Sequence, residues 1–325
     1  MKGELLSKTI SNNKHHQLDQ EDMCYALSPY TEPTLHIQPG DSVTAKTLDA
    51  SCGRILSKED LPSKSAHWPW TNPCVGPIFV EGAEPGDTLV VDILEIKPLL
   101  DWAASWIRTN LGSLQGSVLT PMISPPLEEE VWIYPIDEEK VIFEANHSDF
   151  RLEMPYRPSL GTIGVAPLFE AIHTITCSKH GGNMDCVETA PGVKIYFNVN
   201  VKGGLLSFGD AHGIQGDGEI SGTSVEMRSI TTVRVDVLKN YPIVWPRIES
   251  DRFIMTVGCA RPLEDAYRIA HKEMILWLVN DYGLALPDAY KMVENLGESR
   301  IGNVVNPNYS VVAKFPKEFL PPLAD

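Results

Sequence analysis

Pro191-Gly192-Val193-Lys194-Ile195-Tyr196-Phe197-Asn198-Val199-Asn200-Val201-Lys202-Gly203-Gly204 is the stretch that decides the fold class. Val193, Ile195, Phe197, Val199 and Val201 alternate with Lys194, Tyr196, Asn198, Asn200 and Lys202. Strict period two places one set on a buried face and the other toward solvent, the pattern of a half-buried strand. Proline and glycine punctuate both ends. The same grammar recurs upstream. Gly82-Ala83-Glu84-Pro85-Gly86-Asp87 leads into Thr88-Leu89-Val90-Val91-Asp92-Ile93-Leu94-Glu95-Ile96, and His36-Ile37-Gln38-Pro39-Gly40-Asp41 precedes Ser42-Val43. In each turn proline fixes φ and glycine admits φ > 0. Thr232–Val237 gives a further strand. Repeated strand, Pro-Gly-Asp turn, strand units predict a β-sandwich or barrel-like body.

Helical periodicity comes late. Leu263, Ala266, Tyr267, Ala270, Met274, Trp277 and Leu278 recur at helical spacing after Pro262. Pro287-Asp288-Ala289 opens a second helix with Ala289, Met292, Val293 and Leu296 on one face, and Gly297 closes it. The expected class is therefore α+β, predominantly β, with a smaller α/β portion and C-terminal helices. Residues 1–29 read as an irregular N-terminal segment. Residues 30–325 read as one domain with room for two intimate subdomains.

The 325 residues are 43% hydrophobic and 22% charged, enough apolar material for a large core. A formal net charge of −16 repels phosphate backbones, which argues against nucleic-acid partners. There is no signal-peptide core and no long apolar run, so the expectation is a cytoplasmic chain with no membrane partner. The six cysteines form no CxxC pair, which argues for reduced, buried thiols.

Titratable groups concentrate in Gly209-Asp210-Ala211-His212-Gly213-Ile214-Gln215-Gly216-Asp217-Gly218-Glu219. Asp210 and His212 stand two apart, as do Asp217 and Glu219, so an extended backbone turns each pair to one side. Interleaved glycines let backbone approach a ligand closely. The plain alternative is a solvated, Asp/Gly-rich hairpin. Asn183 and Asp185 in His180-Gly181-Gly182-Asn183-Met184-Asp185 repeat the two-residue step, with an Asx turn as the alternative. Glu81 ends an apolar run and Asp49 lies in Thr47-Leu48-Asp49-Ala50. For both, an ordinary rim carboxylate is the competing reading. His67, ahead of Trp68-Pro69-Trp70, is a candidate for a pocket wall.

Residues 72–87, NPCVGPIFVEGAEPGD, resemble the signature of acetamidases and formamidases. GTIGVAP at 161–167, GGNMDC at 181–186 and GDAHGIQGDGEISGTSVE at 209–226 match as well, in the family's order. The resemblance covers roughly residues 30–320. It implies a mostly β fold, a homo-oligomer (a dimer or larger) and hydrolysis of a small linear amide to carboxylate and ammonia, or of a γ-lactam in some relatives. It also implies a metal ion, zinc first, with calcium, magnesium or manganese as alternatives. On that reading Asp210 and His212 are the leading ligands, with Asp49, Asp185 and Glu81 as further ligands or supports. Glu219 moves the proton with Asp217 as its substitute, and Asn183 and His67 face substrate. The segments 101–113 and 168–180 depart from the family pattern and are expected to reshape access to the site. A reading of another class is a calcium-dependent carbohydrate-binding β-sandwich, with Trp68, Trp70, Trp102 and Trp106 stacking on sugars.

Overall fold

The computed structural model describes residues 4–5, 13–21, 23–114 and 125–323. Two large sheets carry the chain. In the larger, the strands run in the order His15–Leu18, Ser42–Thr47, Ser229–Lys239, Thr88–Pro98, Lys194–Asn198, Arg247–Glu249, Phe253–Ala260, Tyr309–Pro316 and Glu298–Ile301. The second follows Glu130–Pro135, Trp102–Ile107, Glu226–Met227, Leu206–His212, Ser159–Gly164 and Gly181–Asn183, and Cys74–Val80 joins it on Leu206–His212. Most neighbours are antiparallel, as short turns require. Among the described residues neither sheet closes into a barrel.

Val43, Leu89, Val91, Ile195, Phe197, Val233 and Val235 from the larger sheet meet Ile78, Leu160, Ile163 and Phe208 from the second in one continuous core. This is the sandwich that the period-two runs predict. The far face of the larger sheet is covered at one end by two helices, Leu263–Tyr282 and Leu286–Leu296. Their Ala266, Ala270, Met274, Trp277 and Ala289 pack on Ile254, Val311, Ala313 and Phe315.

Two expectations need correction. The described residues of the N-terminal stretch are not all irregular: His15–Leu18 pairs in parallel with Ser42–Ala45, and Met23–Cys24 and Ala26–Leu27 are short strands. Runs of two to four residues carry no readable period, and sheet edges recruit them through backbone bonds. The Lys194–Asn198 strand is also not exposed along its whole polar face. Tyr196 is 2% exposed, packs with Val90, Leu238 and Ile243, and donates its hydroxyl to Glu249.

One irregularity in the second sheet positions everything that follows. Along one edge, Ser207–His212 keeps one register with Ser159–Gly164 on either side of Asp210. Along the other edge its neighbour changes. Leu206, Phe208 and Gly209 pair with Cys74–Val80, whereas Ala211 and His212 pair with Met227 and Glu226. Asp210 stands at this fork, at a φ of 56°. No helix among the described residues is long and apolar enough to cross a membrane.

Candidate active site

His212 is fully buried at the end of its strand, and four carboxylates converge on it. Its Nε2 lies 3.5 Å from Glu226, 3.6 Å from Asp210 and 3.9 Å from Glu219. Asp185 completes a second triad with His212 and Glu219. The period-two spacing of Asp210 and His212 thus brings both side chains to one place. Glu226 is the cross-strand neighbour of His212, and register alone delivers it.

The tautomer of His212 is fixed from behind. Gln215 donates its amide nitrogen to the backbone carbonyls of Asp185 (2.6 Å) and Gly302 (3.1 Å). Its oxygen therefore faces His212 Nδ1 at 2.8 Å, so Nδ1–H donates and Nε2 points at the carboxyl groups. Nε2, Asp185 Oδ1 and Glu226 Oε2 are buried with no hydrogen-bond partner.

The remaining contacts hold the acids in place. Asn306 donates to Asp185. Ser224 gives its hydroxyl to Glu219 (2.8 Å) and its backbone N–H to Glu226 (2.8 Å). Asn72 satisfies both of its ends when its nitrogen donates to Asp210 at 2.9 and 3.1 Å and its oxygen accepts from Thr162. Thr162 also lies 2.6 Å from the Asn183 side-chain amide. Gly161 makes room: a Cβ there would stand 2.5 Å from Asp210 Oδ2 and 2.7 Å from both Asp185 Oδ1 and His212 Cε1. Asn72, Asp185, Asp210 and Glu219 all have left-handed backbone, with φ of 57°, 48°, 56° and 46°. Non-glycine residues rarely adopt this conformation, and it gathers at functional sites.

Crowding of acids in a dry pocket sets the protonation. Burial raises the Glu219 carboxyl to about 7, with Asp210 adding to the rise. Burial and the neighbouring acids Asp210 and Glu219 hold Glu226 and Asp185 well above the carboxylate range. Burial opposes charge on His212, but Glu226 and Asp210 outweigh it and raise its pKa well above the usual value. Burial also opposes charge on Asp210. There His212 and hydrogen bonding prevail, and the pKa falls.

A cleft of about 180 Å³ opens onto these groups. Asp210, Glu219 and Glu226 form its floor with Asn183 and Asn306, and Trp106, Leu111 and Ile175 are among its apolar walls. Segments 101–113 and 168–180 therefore do contribute to the mouth. A larger groove of about 750 Å³ along the C-terminal helices contains none of these acids.

Several sequence candidates lie elsewhere. Asp217 is half exposed and ion-paired with Arg300, not with the cluster. Gly218 and Glu219 are both left-handed, so the chain turns here and the two-residue step no longer shares a face. Glu81 is exposed and pairs with His36. Asp49 is buried in its own turn, accepting from Ser51 and Gly53 and facing Arg228. His67 is exposed, and its neighbours Ala66 and Trp68 line the cleft in its stead. Trp106 is only 5% exposed and packs with Ile55, Ala104 and Val131, so the four tryptophans form no sugar-stacking platform. Glu226, Gln215 and Asn306 were not singled out from sequence.

The fold and the site define a class: a two-sheet β protein in which a fork in one sheet buries a histidine among four carboxylates beneath a small cleft. The chain belongs to the Acetamidase/Formamidase family, whose model matches residues 9–168 and 166–320. It is 27% identical over 256 residues to a formamidase from Methylophilus methylotrophus, covering 63% of this chain and 61% of that protein. Over 217 residues it is 28% identical to an acetamidase from Mycolicibacterium smegmatis, covering 50% and 53%. The matched region thus spans about three-fifths or less of these relatives' length. The crystal structure of an acetamidase from Yersinia enterocolitica superposes with a TM-score of 0.89 at 42% identity, covering 95% of this chain and 94% of that one. A Bacillus halodurans acetamidase gives 0.85 at 30%, covering 93% and 98%. A γ-lactamase from Delftia acidovorans, at 21% identity and a TM-score of 0.61 over 92% and 89%, shares the fold.

Proposed function

We propose that this chain is a metal-dependent amidohydrolase that converts a small linear amide to carboxylate and ammonia. The observation that carries the reading is the unpartnered Nε2 of His212, turned by Gln215 toward three carboxylate oxygens it is too far from to hydrogen-bond. A buried imidazole nitrogen among carboxyl groups with no hydrogen-bond partner is costly, and it is satisfied either by a proton, as the raised pKa of ion-free His212 implies, or by a cation in that proton's place. Asp210, His212 and Glu226 would hold it, with Asp185 on the other flank. The two triads share His212, and its Nδ1 is engaged by Gln215, which leaves Nε2 for a single ion. One nitrogen with several carboxylates suits zinc, and manganese or magnesium next. Lewis-acid polarisation of the carbonyl and acidification of water are the chemistry such an ion supplies.

The chain's own groups complete the hydrolysis. Thr162 gives its one hydroxyl proton to Asn72, so Asn183 meets it with its amide nitrogen and keeps its oxygen to accept an N–H of the substrate amide. Glu219 takes a proton from the attacking water and returns it to the leaving nitrogen. Ser224 holds the Glu219 oxygen in position for both transfers. Trp106, Leu111 and Ile175 limit the acyl group to a short one. The family's assembly as a homo-oligomer is carried over on the same footing.

The test is ammonia release from formamide, acetamide and longer amides, with metal content measured alongside. Asp210→Ala and His212→Ala should each lose the ion and the activity while circular dichroism stays that of a folded β protein. Full metal content in both variants overturns the ligand assignment.

A further inference from the structure

Among the described residues the cleft is lined by four ionisable side chains, and one of them is a cation. Asp210, Glu219 and Glu226 lie at the floor, and Arg108 stands at the rim. Among the described residues the Arg108 guanidinium has no ion pair and no hydrogen bond. This is unusual company in a chain with 43 acidic and 27 basic residues, where surface acids are plentiful. Its loop is not a loose one. Leu111 N–H bonds back to Arg108 carbonyl at 2.9 Å, and Ser113 donates both its N–H (2.9 Å) and its hydroxyl (3.1 Å) to the Ile220 carbonyl. The turn bearing Arg108 is therefore clamped to the turn bearing Glu219. Between rim and floor stand the apolar Trp106, Leu111 and Ile175.

We infer that the preferred substrates are monoamides of short dicarboxylic acids, and that Arg108 binds their free carboxylate. The inference rests on the amidohydrolase reading for the chemistry at the floor. The carboxamide goes down to Asn183 and Glu219, a short methylene spacer lies along the apolar walls, and the carboxylate reaches the guanidinium. Arginine suits this role because its planar fork matches a carboxylate with two parallel hydrogen bonds. It also offsets, locally, a net charge of −16 that otherwise repels an anionic substrate. An amide without the acid leaves Arg108 with nothing to bind and gains nothing from the rim.

The test compares succinamate with butanamide, in which a methyl group replaces the carboxylate. In the unmodified protein kcat/KM should favour succinamate by roughly 10-fold or more, and rising salt should shrink that preference. In Arg108→Gln the preference should collapse toward one, with the loss carried by KM, and Arg108→Lys should recover part of it. Binding of succinate, followed by calorimetry on the same proteins, reads the rim separately from the chemistry and should weaken in Arg108→Gln by a similar factor. A preference near one in the unmodified protein, or a preference or succinate affinity unchanged by Arg108→Gln, overturns the assignment. If no amide is hydrolysed at all, the amidohydrolase reading fails, and the succinate titration still decides whether Arg108 binds a carboxylate.

Discussion

Gly161→Ala adds one methyl group at the most crowded point of the site. The backbone at Gly161 is not left-handed, so an alanine meets no torsional objection and the effect is steric alone. The new Cβ would lie 2.5 Å from Asp210 Oδ2 and 2.7 Å from Asp185 Oδ1 and His212 Cε1. To reach ordinary contact at 3.4 Å, those atoms must retreat by about 0.7 to 0.9 Å. Overpacking of this kind costs about 1–3 kcal/mol, which in a chain of this size lowers Tm by a few degrees. The effect on function should be larger, because a displacement near 1 Å at a reacting centre costs roughly 10²-fold in rate. Ammonia release, metal content and a thermal melt measure the three consequences. Gly216→Ala is the matched control, since a Cβ there meets nothing within 4 Å. A Gly161→Ala protein with full metal content and undiminished kcat would refute the idea that Asp185, Asp210 and His212 act as one packed centre.

Glu219→Gln should keep its metal while kcat falls by about 10²-fold, the usual contribution of a general base; loss of the ion instead would make Glu219 a ligand. In chelator-stripped protein the same variant tests the raised pKa. The folded carboxyl keeps its proton up to about 7 against 4.5 for the free group, so its contribution to stability is full below pH 4.5 and is lost as pH rises through 7. The Tm of Glu219→Gln should therefore climb relative to the parent between pH 5 and 8, and a flat difference would sink the assignment. Gln215→Ala frees the His212 ring, and metal affinity should drop roughly 10–100-fold as for other orienting partners of ligating histidines; equal affinity in competition with a chelator dye would show that the ring needs no such support.

The parts of this molecule legible in sequence were those with a local period. The sandwich followed from the alternation at Val193–Val201 and the Pro-Gly-Asp turns, and both C-terminal helices from their apolar spacing. Asp210 and His212 were legible from their two-residue step: both lie in the Leu206–His212 strand and meet there although Asp210 is itself left-handed. Asp217 and Glu219 failed the same rule because the rule assumes extended backbone, and the left-handed pair Gly218-Glu219 breaks it. Glu226 lies within the quoted family motif, yet its place beside His212 depends on which strand pairs with which, and that register has no local signature. Asn306 and Gln215 belong to the same class: amides whose partners are distant in sequence. Asp49 and Glu81 show the converse, since a carboxylate at a turn or strand end looks the same in sequence whether it serves a site or its own loop.

The four left-handed residues bear on how such a centre can arise. Each departs from the conformation its own sequence prefers, at about 1 kcal/mol apiece, and together they cost a sizeable fraction of the about 5–15 kcal/mol by which a domain is stable. Asn72, Asp185 and the run that carries Asp210 and Glu219 come from three separate stretches, brought together where the second sheet forks. A contiguous ion-binding loop can be cut out and grafted onto another scaffold with its ligands in order. This centre is not portable in that way: a peptide spanning 209–226 has neither Asp185 nor the room at Gly161. Its chemistry is inherited with the whole sandwich or not at all.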